Sequence, residues 1–464
     1  MPPGSHTHRV SNAQAHAELM TAALLVPALA LLAVVLWRVA RWYSWARVCA
    51  RLPSPAGATW LMGHAKPVSD LRHHRMLLQW DGQVGPLYCI KVLWARVVVA
   101  THPAAIHQLL RATPGVDKAQ ITFGMINPLL SPKGHPSLFS ASTHSPYWRL
   151  VRKGVAPGFS MTSLRGSFHH IQEVVAEVLA TLHRLGPGQA FDVDNLLMRG
   201  TMDVIGRVGF DANFRAVEEF RAGPPLDGGG HAGQGPEGQD IFSIVTASME
   251  EINRRWANPL RARYLWWLPE VRAAVRYWRA FQARMQQLAE DVRARSQPAD
   301  SDQSIAAHLL RLRDPHTGQP LSVDRLVPEI ATFFVAGMDT TAHTMAWTLY
   351  LVAQHPEVEQ KLCAELDTLG LLAMEQRPEP RRVEWEDCGK LPYLSATIKV
   401  CFVSLAARSD RATASSCIKL RCAWHLPALS AAPRQHAALC SCSLTNTVHE
   451  RLRLAAFAVA VALQ

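Results

Sequence analysis

ATFFVAGMDTTAHTM occupies residues 331–345, and its reading decides the fold. Between Ile330 and Gln354 the only charged or imidazole side chains are Asp339 and His343. That pattern predicts a helix over about 324–354 that is apolar all round, as in the centre of a large core or in a membrane span. An unpartnered Asp339 in such surroundings would cost roughly several kcal/mol. The hydroxyls of Thr340 and Thr341 can bond back to their own helix and loosen its ladder. Ala336 and Gly337 remove side-chain bulk one turn earlier. A groove, a local opening and a proton-bearing carboxyl together suit a large flat cofactor lying against the helix, with protons handled at its reactive face. Two plainer readings stay open: a second membrane span, in which a central Asp is costly, and Asp-Thr-Thr as the N-cap of a new helix.

The rest of the chain is large enough to bury such a helix. It has 464 residues, 48% hydrophobic and 18% charged, with a formal charge of +11. A basic balance fits a membrane surface or an acidic partner. No zinc-finger or RNA-binding signature is present, so no nucleic-acid partner is expected. Leu19–Trp37 is an uncharged run long enough to cross a bilayer core. It is followed by Arg38, Arg41, Arg47 and Arg51 interleaved with Trp42, Tyr43 and Trp45, a flank that belongs on the cytosolic side. A retained signal anchor is the expectation, with a signal or plastid transit peptide as the alternative. The Pro- and Gly-bearing stretch 51–64 reads as a stiff linker, and 87–100 as a strand pair. A short helix is expected near 102–112 and loop over 114–147.

Helical spacing then dominates, at 168–185, 192–210, 240–256, 269–296, 303–313, 356–369 and from 391. Residues 223–239 hold seven glycines and read as a surface insertion. From Val400 onward the periodicity stops. Nine cysteines occur, five of them beyond residue 400, with no paired C-x2-C spacing that would mark a zinc site.

Three motifs fall in register. Ala336-Gly337-Met338-Asp339-Thr340-Thr341 is followed by HPEVEQKLCAEL (355–366). Trp148-x3-Arg152 lies within PYWRLVRKGVAPGFS (146–160), its two side chains one helical turn apart. LPYLSATIK (391–399) opens the last helix. Together they resemble the cytochrome P-450 haem-thiolate monooxygenases of the microsomal type, over roughly residues 50–399.

The resemblance implies a mainly α fold with a small β region, plus an N-terminal transmembrane helix. The implied organisation is a tail (1–18), the anchor (19–37), a basic Pro-rich hinge (38–64), the catalytic domain (65–399) and a divergent tail (400–464). It implies a haem b cofactor and an NADPH-dependent reductase as electron source. It further implies a lipophilic small-molecule substrate oxygenated with O2, at the endoplasmic reticulum membrane with the catalytic domain in the cytosol. It also implies residue roles: Thr340 and Asp339 catalytic, Trp148 and Arg152 at the haem propionates, where a guanidinium matches a carboxylate, and Ala336 and Gly337 bordering the haem.

The sequence departs from the pattern in two places. Val400 and Val403 stand where the family has its Glu-x-x-Arg pair. No cysteine sits in the family's Phe-x2-Gly-x-Arg-x-Cys-x-Gly loop, whose thiolate favours O–O cleavage at the iron, so no metal ligand is assigned. The C-terminal part of the fold is therefore expected to be missing. Glu450-Arg451-Leu452-Arg453-Leu454 fits the displaced Glu-x-Leu-Arg-Leu, as if 400–449 were an intron-derived insertion. A catalytically inactive family member, or a haem-free membrane-bound binding protein, is the rival expectation.

Overall fold

The structure, a computed structural model, describes residues 6–407 apart from 69–72, 94, 113–115, 120–122, 187–190, 221–235, 237, 258–260, 262–263, 296–301, 316 and 373–379. Most of the Gly-rich insertion and all of the tail beyond 407, including Glu450 and Arg453, lie outside the described residues. The chain divides into two compact units, 1–112 and 113–464.

The first unit opens with α1 (His6–Cys49), which contains the expected anchor and Pro27. Residues Leu25–Cys49 are apolar and long enough to cross a membrane by length and composition. Helix continues well into the segment expected as hinge, and irregular chain starts only after Cys49. Arg41 lies over the Trp37 ring and Arg47 over Tyr43, at 5.4 and 4.7 Å from the ring centres.

Helices α2 (Ala65–Val68) and α3 (His73–Val84) lead to the expected strand pair, β1 (Leu87–Val92) and β2 (Ala95–Ala100). The strands pair antiparallel with Leu87 opposite Ala100. Helix α4 (Pro103–Arg111) follows, its N-terminus capped by the His102 ring. Trp80, Tyr88 and Ile90 form a small core. Gly63 (φ 59°) belongs beside it for a steric reason: a Cβ there would meet the Lys91 carbonyl at 2.3 Å.

The second unit is helical: α5 (Asn127–Leu130), α6 (Pro146–Val155), α7 (Met161–Gly166), α8 (Phe168–Leu185), α9 (Val193–Phe210), α10 (Ile241–Ala257), α11 (Pro269–Ala294), α12 (Ile305–Arg311), α13 (Val323–Ala353), α14 (Pro356–Thr368) and α15 (Pro392–Ala407). The long helices begin and end close to where the sequence periodicity puts them. The segment expected as loop over 114–147 contains α5.

Helix α13 is the axis of this unit. It packs against α9 most extensively, then against α11, α15 and α14. Ile330, Ala331, Phe334, Met338, Ala342, Met345 and Ala346 are fully buried along it, so α13 is a core helix rather than a second membrane span. It runs unbroken through Ala336–Thr341, which also removes the reading of Asp-Thr-Thr as a new N-cap. The threonines do bond back to the helix, yet the ladder stays helical.

After α9 the chain turns at Asp211, a non-glycine in the left-handed region (φ 50°). The buried Asp203 carboxylate holds this turn by accepting the Ala216 and Val217 N–H groups, both at 3.0 Å. Gly206 sits against the same turn. A Cβ on it would lie 2.6 Å from the Ala212 carbonyl oxygen and 2.6 Å from the Phe214 ring. Because the obstacle includes backbone, Gly206→Ala is expected to destabilise the second unit by about 1–3 kcal/mol in denaturant unfolding.

Candidate functional site

The helical repeat gives α13 one stripe that the neighbouring helices leave open. Ala336 and Thr340 are exposed on it, with Phe333 and Thr344 half-buried to either side. The stripe is held in shape by its own hydroxyls. Thr340 Oγ1 donates to the Ala336 carbonyl (2.9 Å), Thr344 to Thr340 (2.8 Å) and Thr348 to Thr344 (2.9 Å). Each bond spends a hydroxyl proton on a carbonyl of the preceding turn, fixing the rotamer.

Gly337 lies against the neighbouring helix. Its Cβ direction points at α9, where an added carbon would lie 2.8 Å from Ile205 Cγ1. One residue on, the Met338 carbonyl accepts a hydrogen bond from Thr201 of α9 at 2.9 Å. Of the small pair, Ala336 lies on the open stripe and Gly337 lets two helices approach.

Asp339 is neither fully buried nor unpartnered, contrary to the expectation for an apolar helix. Its side chain is 44% exposed, and its Oδ1 lies 3.3 Å from His343 Nε2 one turn along. His343 Nδ1 in turn lies 2.8 Å from Asp194 Oδ1, near the start of α9. The hydrogen bonds from Asp194 and then Asp339 raise the His343 ring to about 10, against a smaller opposing effect of burial. The sequence held one sign of this arrangement, the Asp339/His343 spacing of four residues. Asp194 lies far off in the chain and has no local signature.

Trp148 and Arg152 sit one turn apart on α6. Trp148 is half-buried, and Lys118 Nζ lies over its ring at 5.6 Å. Arg152 is exposed, and it forms no ion pair among the described residues. Just before Trp148, Tyr147 joins α6 to α13: its hydroxyl donates to Glu329 Oε1 at 2.9 Å. Glu329 also accepts the Leu138 N–H, 3.0 Å from each oxygen. It is fully buried, and burial pushes its carboxyl up to about 7 against the opposing pull of the Leu138 and Tyr147 hydrogen bonds. Sequence reasoning missed Glu329 because it stands just before the apolar run.

No described cysteine offers a thiolate to the open stripe. Cys388 is buried, and burial pushes its thiol up to about 11. Cys401 is also buried and raised by burial; it lines a cleft of about 380 Å³ with Leu351, His355 and Tyr393. Cys363 is half-buried on α14. Cys49 and Cys89 belong to the first unit. Among the described residues no cluster of His, Cys, Asp and Glu has metal-binding geometry.

Residues 53–399 match the family model described as Cytochrome P450. A bifunctional cytochrome P450/NADPH–P450 reductase of Gibberella moniliformis is 26% identical over 56% of this chain and 21% of its own length. A fusion of the same description from Bacillus subtilis is 23% identical over 54% of this chain and 22% of its own. A Caenorhabditis elegans protein bearing a cytochrome P450 name is 24% identical over 69% of this chain and 62% of its own. The chain thus spans between a fifth and a third of the length of the reductase fusions that it matches.

Two pH effects follow from the ionisable groups. His343 keeps its proton in the fold up to about pH 10 and loses it near 6.5 when unfolded. Its stabilisation is therefore complete below pH 6.5 and declines as pH rises through about 10. Glu329 prefers its proton in the fold up to about 7, against 4.5 unfolded, so stability falls as pH rises from 4.5 to 7. Thermal unfolding across pH 4–10 is expected to show both declines. Glu329→Gln is expected to flatten the lower one, which is worth about 3 kcal/mol.

Proposed function

The chain belongs to the cytochrome P450 family, and from that membership we propose that it is a haem-dependent monooxygenase of a lipophilic organic substrate. The observation that carries this reading is the open stripe on α13. There Ala336 and Thr340 stand exposed beside Asp339 on a helix whose opposite face is buried in the core. The reductase-fused relatives support a reductase as electron donor. The basic charge suits an acidic partner of that kind. The apolar α1 supports attachment to a membrane, with the endoplasmic reticulum as the proposed compartment.

The residues present fit a haem on two of its sides. Ala336 leaves room for a flat ring against α13, with Phe333 as an apolar neighbour. Arg152, exposed and without an ion-pair partner among the described residues, would meet a propionate, and the Trp148 indole would donate a hydrogen bond to the other. On the axial side the fit fails among the described residues. Each described thiol of the second unit is on a packed helix or buried, and the two buried ones are held in the protonated form. No axial ligand is assigned.

Haem, when bound, supplies oxygen activation at its iron. The chain's own part is proton handling and water exclusion. Thr340 holds a hydroxyl at the open stripe, now committed to the Ala336 carbonyl. Asp339, partly exposed to water, holds a carboxylate next to it that passes protons between solvent and the stripe. The aromatic and aliphatic side chains around the stripe keep bulk water from an apolar substrate.

A second reading has its own support. The lack of a competent thiol among the described residues, together with Val400 standing 59% exposed in place of the family's ion-pair partner, favours a haem-free, catalytically inactive binding protein. The reduced, carbon monoxide-bound absorption spectrum of the full chain separates the two. A thiolate-type Soret band would sustain the monooxygenase reading and overturn the inactive one; failure to take up haem would overturn the monooxygenase reading. With haem bound, Thr340→Ala is expected to keep the spectrum while product formation falls about 10²-fold or more. Arg152→Ala is expected to lower haem retention instead.

A further inference from the structure

Asp339 stands at the edge of the open stripe, yet its only charged neighbour on α13 is His343, one turn along. That histidine reaches across to a second helix. Its Nδ1 lies 2.8 Å from Asp194 Oδ1 and its Nε2 lies 3.3 Å from Asp339 Oδ1. Nδ1 is within hydrogen-bond distance of Asp194 and Nε2 faces Asp339 at ion-pair distance, and a ring held between two carboxylates is favoured as the imidazolium.

We infer that His343 is a positioning residue, bridging Asp339 to Asp194 and thereby anchoring the proton-handling end of the α13 stripe to the N-terminus of α9. The inference rests on the role proposed for Asp339, but its geometry does not involve haem.

Four features support a bridge over a chance pair of surface charges. First, the two links differ in kind. The Asp339–His343 contact is a spacing of four residues within one helix, which is weak when exposed. The Asp194–His343 contact joins two helices, and the Asp194 side chain is only 15% exposed. Second, Asp194 sits in the first turn of α9, where the exposed N–H groups and the helix dipole favour a negative charge. The neighbouring Asp192 uses its own oxygen to cap Asn195 N–H at 3.1 Å, leaving Asp194 for the ring. Third, α9 and α13 are already fixed against each other by Gly337, Ile205 and the Thr201 bond to the Met338 carbonyl. Asp194 therefore meets His343 from a rigid base. Fourth, the two hydrogen bonds hold the ring's proton well above the ordinary range for histidine.

The groups acting on the ring are Asp194 from α9 and Asp339 from α13, with Asp192 facing Asp194. The bridge gives Asp339 one orientation beside Thr340 and a cationic partner one turn along. Without it, a carboxylate this exposed would turn to water.

The test uses the full chain with histidine rings and aspartate carboxyls isotopically labelled, read by NMR over pH 5–10. One imidazole signal, identified by its loss in His343→Gln, is expected to stay in the imidazolium position at pH 8. Asp194→Asn is expected to lower its titration midpoint by at least about one unit. A midpoint near 6.5 in the parent chain would overturn the bridge. The Asp339 carboxyl signal, identified by its loss in Asp339→Asn, is expected to change its chemical shift at pH 8 in both His343→Gln and Asp194→Asn. An Asp339 carboxyl signal unmoved by either variant would overturn the positioning role. Asp194→Asn leaves the α13 sequence intact, so it serves if His343→Gln does not fold. None of these readouts needs haem. A bridge seen in a chain that takes up no haem would sustain this inference and sink the proposed activity, whereas a missing bridge in a haem-loaded chain would do the reverse.

Discussion

The close crossing of α9 and α13 governs the second unit. At one point a glycine on α13 admits an isoleucine of α9, and the threonine one helical turn earlier on α9 bonds to the next α13 carbonyl. This contact fixes more than a distance. In a helix, rotation about the axis decides which residues face which neighbour. With Gly337 and Met338 committed to the core, Ala336 and Thr340 must lie on the remaining stripe, and Asp339 and His343 must lie toward the start of α9. A side chain at 337 would force the two helices apart and disturb both arrangements at once. The small residue thus shapes the candidate site indirectly, by orienting the helix that carries it.

Much of this was legible in the sequence. The strand pair and the long helices of the second unit follow from periodicity, because hydrophobic spacing reports directly which face is buried. The six-residue motif located the open stripe, since a carboxyl and hydroxyls inside an apolar helix demand an explanation. Other features were not legible, for a shared physical reason. Asp194 and Glu329 each matter through a partner distant in sequence: Asp194 through His343, Glu329 through Tyr147 and the Leu138 N–H. No local pattern encodes such pairings. Nor does the motif by itself tell a glycine that admits a helix, as Gly337 does for α9, from one that admits a ligand.

The two acidic groups buried or half-buried around α13 show opposite solutions to one problem. Glu329 has a neutral donor in Tyr147 and a backbone N–H, with Lys118 and Arg325 exerting only small effects on it. Two or three neutral or distant donors do not offset its loss of solvation, and its carboxyl is pushed toward neutrality. Asp194 has a helix N-terminus and an imidazolium in direct contact, and it shares that cation with a second carboxylate. The first arrangement ties α6 and the loop before it to α13 through a group that is only marginally ionised near neutral pH. The second ties α9 to α13 through charges that persist well beyond it. Ionic strength should act on them differently as well, because screening weakens an exposed pair far more than a buried one.

The same comparison bears on what the stripe can do. A proton-handling carboxylate must reach both solvent and the reacting face, so it has to be partly exposed, and partial exposure ordinarily means conformational freedom. Thr340, Thr344 and Thr348 resolve this for the hydroxyls by bonding to carbonyls of their own helix. A carboxylate has no proton to donate to a carbonyl, so Asp339 needs a donor from elsewhere. His343 is placed one turn along to supply it, and Asp194 keeps that donor charged. Openness on one side of α13 is thus combined with fixed side-chain geometry by borrowing rigidity from α9, the helix that Gly337 draws close.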